Sequence, residues 1–225
     1  MKLISYNLSL IPISVASMIY KVFYKDDKTF SRKLYHHLSG AIYIHIPKTG
    51  GNSIEKSLGL LKTGHKPLKS FELSLSKNEF SDAFIFTVVR DPYSRLASAY
   101  YYLKSDNISE EDKEFRDKTL RNYPSFEIFV KDYIKHKGAY GYIHFIPQVE
   151  FIKRWNGKIR CDEIIKLKNL ENEFENLRIK LGKNDSTLIH KNKTVNKTDY
   201  LSQYDEEMKN IVREVYSEDF EKLGF

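Results

Sequence analysis

The chain has 225 residues, a formal net charge of +7, 41% apolar and 30% charged residues, and 16 Tyr and 14 Phe. These values describe a single globular domain, or one and a half, with enough aromatic area to build a core without staples. The one cysteine, Cys161, excludes an intrachain disulfide and reads as a small core residue, while the positive charge favours an anionic partner.

From Leu3 to Tyr20 no residue is charged, but Ser5, Asn7, Ser9, Ser14, Ser17 and Pro12 interrupt the apolar pattern. A spanning helix needs roughly 20 predominantly apolar residues. A weak signal anchor, an uncleaved signal peptide, an amphipathic surface helix and a helix packed on the chain's own core all fit this segment. Location stays open between the cytoplasm and a membrane surface, the latter through a single Golgi-type anchor in a eukaryotic cell. Residues 24–39 are polar and read as a linker, so 1–39 is set apart as an N-terminal helix and linker from a domain over 40–225.

AIYIHI (41–46) is a compact β-prone run ending at Pro47, and SIEKSLGLL (53–61) has helical spacing with Ser53 as its cap. AFIFTVV (83–89) is almost wholly apolar, as suits a central parallel strand covered on both faces. Asp91 and Pro92 then announce a helix through YSRLASAYYYLK. Residues 105–122 read as a charged, irregular excursion, FEIFVKDYIKH (126–136) as an amphipathic helix, and HFIPQVEFI (144–152) as a short turn and helix. CDEIIKL (161–167) is a third strand, LENEFENLRIKLG (170–182) a helix closed by Gly182, HKNKTVNKTDY (190–200) a polar loop, and YDEEMKNIVREVYSEDFEKLGF one final helix. Strands alternating with helices predict an α/β fold with a parallel sheet.

Two segments carry chemistry. The first is strand–PKTGGNS–helix, whose composition is that of a phosphate cradle. Gly50 and Gly51 permit positive φ and close backbone approach, the first helical amides converge on one spot, and Lys48, Thr49, Asn52 and Ser53 add charge and donors. The order differs from the nucleotide-binding pattern G-x-x-x-x-G-K-[ST], because the lysine precedes the glycines. In the second segment, TVVRDPYSRLASAY, Arg90 leaves a strand at its carboxyl end and Ser98 follows in the next helix. A guanidinium fork with a hydroxyl suits a terminal phosphate. Arg95 could join them, or pair with Asp91 one turn earlier.

Together these segments resemble the membrane-type carbohydrate sulfotransferases. HIPKTGGNS is similar to their 5′-phosphosulfate loop, and VVRDPYSRLASAYY to their 3′-phosphate motif, with a serine eight residues after the arginine. HFIPQVEFI, CDEIIKLKNLENEFENL, HKNKT and YSEDFEKLGF follow in the family's order, so the resemblance spans about residues 40–225. It points to the group containing uronyl 2-O-, chondroitin 4-O- and related bacterial enzymes.

The resemblance implies a P-loop-like, three-layer sulfotransferase fold, a central parallel sheet flanked by helices. It implies PAPS (3′-phosphoadenosine-5′-phosphosulfate) as donor, PAP as product, and a carbohydrate hydroxyl as acceptor, on an acidic glycan given the basic charge. Lys48 would stabilise the leaving group, with Thr49, Gly50, Gly51, Asn52 and Ser53 holding the phosphosulfate. Arg90 and Ser98 would hold the 3′-phosphate, and Asn192, Lys193 and Thr194 would close over the nucleotide. His65, in GHKP after the first helix, matches the region where 2-O-sulfotransferases carry their catalytic histidine; it is the expected base, with His144 a second candidate for substrate binding. Glu55 is an outside candidate for the base, and His45 reads as structural. His36, His37, His136 and His190 read as surface residues.

No metal-ligand spacing occurs, and lysine with backbone amides would supply the positive charge, so no metal is expected. The scattered lysines, without arginine-rich runs or basic–aromatic repeats, give no nucleic-acid signature. Two alternatives remain at this stage: a P-loop-like nucleotide-dependent kinase, which lacks its Gly-Lys-Ser/Thr and magnesium aspartate here, and a non-catalytic module binding anionic glycans.

Overall fold

A computed structural model describes residues 27–137, 139–189 and 199–225. In chain order the elements are α1 (Asp27–His37), β1 (Ala41–Ile44), α2 (Gly51–Ser57), α3 (Leu68–Ser74), α4 (Lys77–Asp82), β2 (Phe84–Val89), α5 (Pro92–Leu103) and α6 (Glu110–Lys118). There follow α7 (Phe126–Ile128), continued by a π-helical stretch over Phe129–Lys137, α8 (Gln148–Ile152), β3 (Glu163–Lys166), α9 (Leu170–Lys180), α10 (Glu206–Val215) and α11 (Ser217–Leu223). Among the described residues no helix is long and apolar enough to cross a membrane, and the segment from Leu3 to Tyr20 lies outside them.

The chain divides into two compact units. One holds the described residues up to Val89 together with 148–189, and it has the α/β architecture read from the sequence: a parallel sheet in the order β1-β2-β3, flanked by helices. The register sets Ile44 beside Thr87 and Val88 beside Ile165. Phe86 and Val88 pack with Ile54 and Leu58 of the α2 region and with Leu170, Phe174 and Leu177 of α9. Ile42, on the alternate face of β1, lines a small cavity with Leu34 and Phe71, which α1 and α3 contribute. The sheet is continued past β3's start by Asp162, whose N–H and carboxylate pair with the Ile85 carbonyl and N–H, both at 2.7 Å.

The other unit comprises 90–147 and the described residues 199–225, and it is helical. Its core is rich in rings: Tyr93, Tyr100, Tyr123, Phe126, Phe129, Tyr133, Phe145, Tyr204 and Tyr216 pack with aliphatic residues such as Leu103, Ile134, Met208 and Val212. Burying so many large aromatics explains the high Tyr and Phe content.

Four local readings change. Residues 27–37 form a helix where composition suggested linker, because Leu34 and neighbouring Leu38 are buried. Helix α2 begins at Gly51, with Gly50 rather than Ser53 as cap. The charged excursion contains α6, capped by the Ser109 side chain, and Asp112 on it is buried. The final helix is two, broken at Tyr216, whose hydroxyl donates to the Phe145 carbonyl at 2.8 Å.

Candidate active site

The glycine turn is built by the end of β1. Beyond Ile44 the chain stays buried through Pro47, then reverses at Lys48, whose φ is +68°. The Thr49 hydroxyl donates to the Ile46 carbonyl at 2.8 Å and closes the turn. It was expected to face an anion; the buried side chain is committed to the backbone instead. Gly50 follows at φ +83°, where a Cβ would also stand 2.8 Å from Leu167 Cδ1. Gly51 has a different reason to be glycine: a Cβ there would stand 1.9 Å from His45 Nε2. So one glycine supplies the left-handed backbone and the other makes room for an imidazole. Asn52 is exposed and Ser53 buried, with the Ser53 N–H bonded to the Gly50 carbonyl at 2.9 Å. Lys48 is half-buried at the mouth of this turn.

His45 leads into a polar cluster within the same unit. Its Nδ1 lies 2.8 Å from Glu55 Oε1, and that oxygen also accepts from the Thr63 N–H at 3.0 Å and the Thr63 hydroxyl at 3.1 Å. A carboxylate accepts only, so Nδ1 of His45 carries the hydrogen. Burial alone would raise the Glu55 pKa. The bond and charge of His45 and the two Thr63 donors outweigh it and hold the carboxyl below its ordinary value.

His65 stands on this cluster. Its Nδ1 donates to the His45 carbonyl at 2.9 Å, and its ring meets the His45 ring edge-on at 4.4 Å between centroids. With the hydrogen on Nδ1, the lone pair of a neutral ring is on Nε2, the protonation state a general base requires. Gly64 at φ +64° and His65 at φ +58° are consecutive left-handed residues. Among the described residues only Ser39, Lys48 and His65 combine a side chain beyond glycine's with positive φ. Such backbone is costly, on the order of 1–2 kcal/mol per residue, and concentrates at functional sites.

The second chemistry-bearing segment begins where β2 ends, since Arg90 follows Val89. Asp91 caps α5 by accepting from the Ser94 N–H at 2.9 Å. Within its own unit the Arg90 guanidinium lies over the Tyr200 ring, 5.4 Å from its centroid. Burial lowers the Arg90 pKa, and Tyr200 and Asp91 oppose that shift. Tyr200 was not singled out in the sequence; it ends a polar loop, and nothing in the spacing ties it to Arg90. Ser98, two turns into α5, is half-buried. Arg95 is in the interior, 2% exposed; burial lowers its pKa against the opposing charge of Asp219, and the charge of Arg90 adds to the lowering. Asn192, Lys193 and Thr194 lie outside the described residues.

His144 is in the interior of the helical unit, 6% exposed, with Nε2 donating to Asp112 Oδ1 at 3.0 Å. The Tyr102 and Tyr142 hydroxyls donate to the same carboxylate at 2.9 and 2.6 Å. Burial would raise the Asp112 pKa, but these three donors drive it well below the ordinary range. The substrate-facing role expected of His144 is therefore not what its surroundings provide; its ring organises a buried carboxylate. His37 is exposed, as read from the sequence, and bonds the Gly59 carbonyl at 2.8 Å. Burial pushes the Cys161 thiol up to about 12, which disfavours the nucleophilic thiolate, but the residue precedes β3 and is half-buried where a core strand position was expected.

Residues 35–225 match the family model described as the sulfotransferase family. No curated protein and no solved structure matches the chain.

Proposed function

Because the chain belongs to the sulfotransferase family, we propose that it transfers the sulfuryl group of PAPS to a hydroxyl of a carbohydrate, on an acidic glycan. Sulfuryl transfer is the chemistry of the family; the donor and the acceptor are this reading's own. The observation that carries it is the pairing of strained backbone with chemistry: Lys48 in the glycine turn and His65 on the adjoining loop are both held left-handed. Selection for stability alone would relax such positions.

In this reading the amides of Gly50, Gly51 and Asn52 and the Lys48 ammonium receive the phosphosulfate end. Arg90 and Ser98 receive the 3′-phosphate that separates PAPS from other adenine nucleotides. The acceptor oxygen attacks sulfur, the bond from sulfur to the phosphate oxygen breaks, and PAP leaves with the electron pair. The acceptor's proton passes to Nε2 of His65. Lys48 stabilises the charge that grows on the departing oxygen, the point where such donors act most strongly. The net charge of +7 supports an anionic acceptor.

The test is sulfate transfer from radiolabelled PAPS to a panel of uronic-acid and neutral polysaccharides, wild type against Lys48→Ala. Labelled ester is expected with at least one acidic polysaccharide, and its rate is expected to fall about 10²- to 10³-fold in the variant without loss of fold. Wild-type rates retained by Lys48→Ala would refute the assignment.

A further inference from the structure

One oxygen in the cradle unit holds together more than its surroundings require. Glu55 Oε1 accepts three hydrogen bonds, from the His45 ring, the Thr63 N–H and the Thr63 hydroxyl. The partners lie on opposite sides of the His65 attachment. His45 supplies both the carbonyl that fixes Nδ1 of His65 and the ring that meets it edge-on. Thr63 precedes the two left-handed residues, Gly64 and His65, that turn the chain. The His45 ring in turn is wedged against Gly51 of the glycine turn. We propose that Glu55 is a positioning residue for sulfuryl transfer: through Oε1 it locks the His45 ring and the Thr63 backbone together, and so fixes the His65 imidazole against the glycine turn.

The inference rests on the reading of His65 as base and adds a residue to it. Glu55 is not itself suited to take the proton. It is 6% exposed, and the oxygen aimed into the cluster already accepts three donors. Without it, the strained φ at His65 loses the anchor near it, and the edge-on contact loses its fixed partner. Displacement of a reacting group by about 1 Å costs about 10²-fold in rate.

Two substitutions separate geometry from charge. Glu55→Gln retains an amide oxygen that can accept all three bonds; Glu55→Ala retains none. Nitrogen-15 NMR of histidine-labelled protein is expected to show one tautomer for His65, hydrogen on Nδ1, in wild type and Glu55→Gln. In Glu55→Ala it is expected to show exchange between tautomers. With the polysaccharide that the wild type sulfates fastest, Glu55→Gln is expected to keep kcat within about tenfold. Glu55→Ala is expected to lose about 10²-fold in kcat, with the KM for PAPS changed less than about threefold. Combining Glu55→Ala with His65→Ala is expected to cost no more than His65→Ala alone, since both act through one ring. Should Glu55→Ala not fold, Thr63→Val removes a single donor, and about a fivefold loss in kcat is expected.

An unchanged His65 tautomer and kcat in Glu55→Ala, or in Thr63→Val should it be needed, overturns the proposal. So does equal loss in Glu55→Gln and Glu55→Ala, because the carboxylate would then act chemically. Full kcat in His65→Ala sinks the base assignment instead, and the tautomer measurement still decides whether Glu55 holds the ring.

Discussion

Two buried carboxylates, one in each unit, are each gripped by a histidine and two further donors, yet their surroundings differ. Asp112 takes its bonds from Tyr102, Tyr142 and His144. Around it Phe115 stacks on Tyr142 at 3.9 Å and Phe145 packs beyond. Asp112 and His144 are buried and Tyr102 and Tyr142 half-buried, and their bonds tie helix α6 to its neighbours. Glu55 takes its bonds from His45 and Thr63, and the structure it organises ends at His65, which is half-buried and on left-handed backbone. A carboxylate–histidine pair is thus not by itself a sign of catalysis. What matters is whether the fixed geometry is passed to a ring that solvent and substrate can reach.

Mutation can sharpen that contrast. Asp112→Ala leaves buried His144 and two half-buried phenols without their acceptor, and is expected to destabilise the protein by about 3–5 kcal/mol. Chemical denaturation followed by near-UV dichroism checks it; a change below about 1 kcal/mol would mean the network contributes little. Gly51→Ala drives a methyl into the His45 ring, which Glu55 prevents from moving aside. A loss of about 1–3 kcal/mol is expected from such overpacking, whereas a merely permissive glycine would tolerate alanine.

The smallest effect is the response to acid. The folded-state pKa of Asp112 is depressed, so its contribution is present above the unfolded value of roughly 3.9 and is lost as pH falls through and below it. At pH 4 its share of the loss is only about 0.3 kcal/mol, rising towards about 1.4 kcal/mol per further pH unit. Thermal melts of wild type and Asp112→Asn between pH 7 and pH 3 read this, with a shallower acid decline expected in the variant. Parallel declines would contradict it.

The two regions were not equally legible in the sequence. The strands at 41–44, 84–89 and 163–166 and the Asp91 cap followed local pattern, and the glycine turn with Lys48 was marked by composition. Helix α1 was hidden because its buried Leu34 and the neighbouring Leu38 are sparse among charges. The burial of Asp112 and Arg95 depends on partners far along the chain, His144 and Tyr142 for one, Asp219 for the other. Thr63 is an ordinary loop residue until the fold brings it to Glu55, and Thr49 looked like a donor to ligand until its hydroxyl turned to Ile46. Periodicity shows which face is buried, not which distant polar group meets it there.

The proposal most open to a single measurement is that Arg90 receives the 3′-phosphate of the donor. Titration calorimetry with PAP and with ADP, on wild type and on Arg90→Ala, tests it most directly. Tighter binding of PAP than of ADP is expected in the wild type, with loss of that preference in Arg90→Ala. Equal affinity for the two nucleotides in the wild type, or an undiminished preference in the variant, would contradict it.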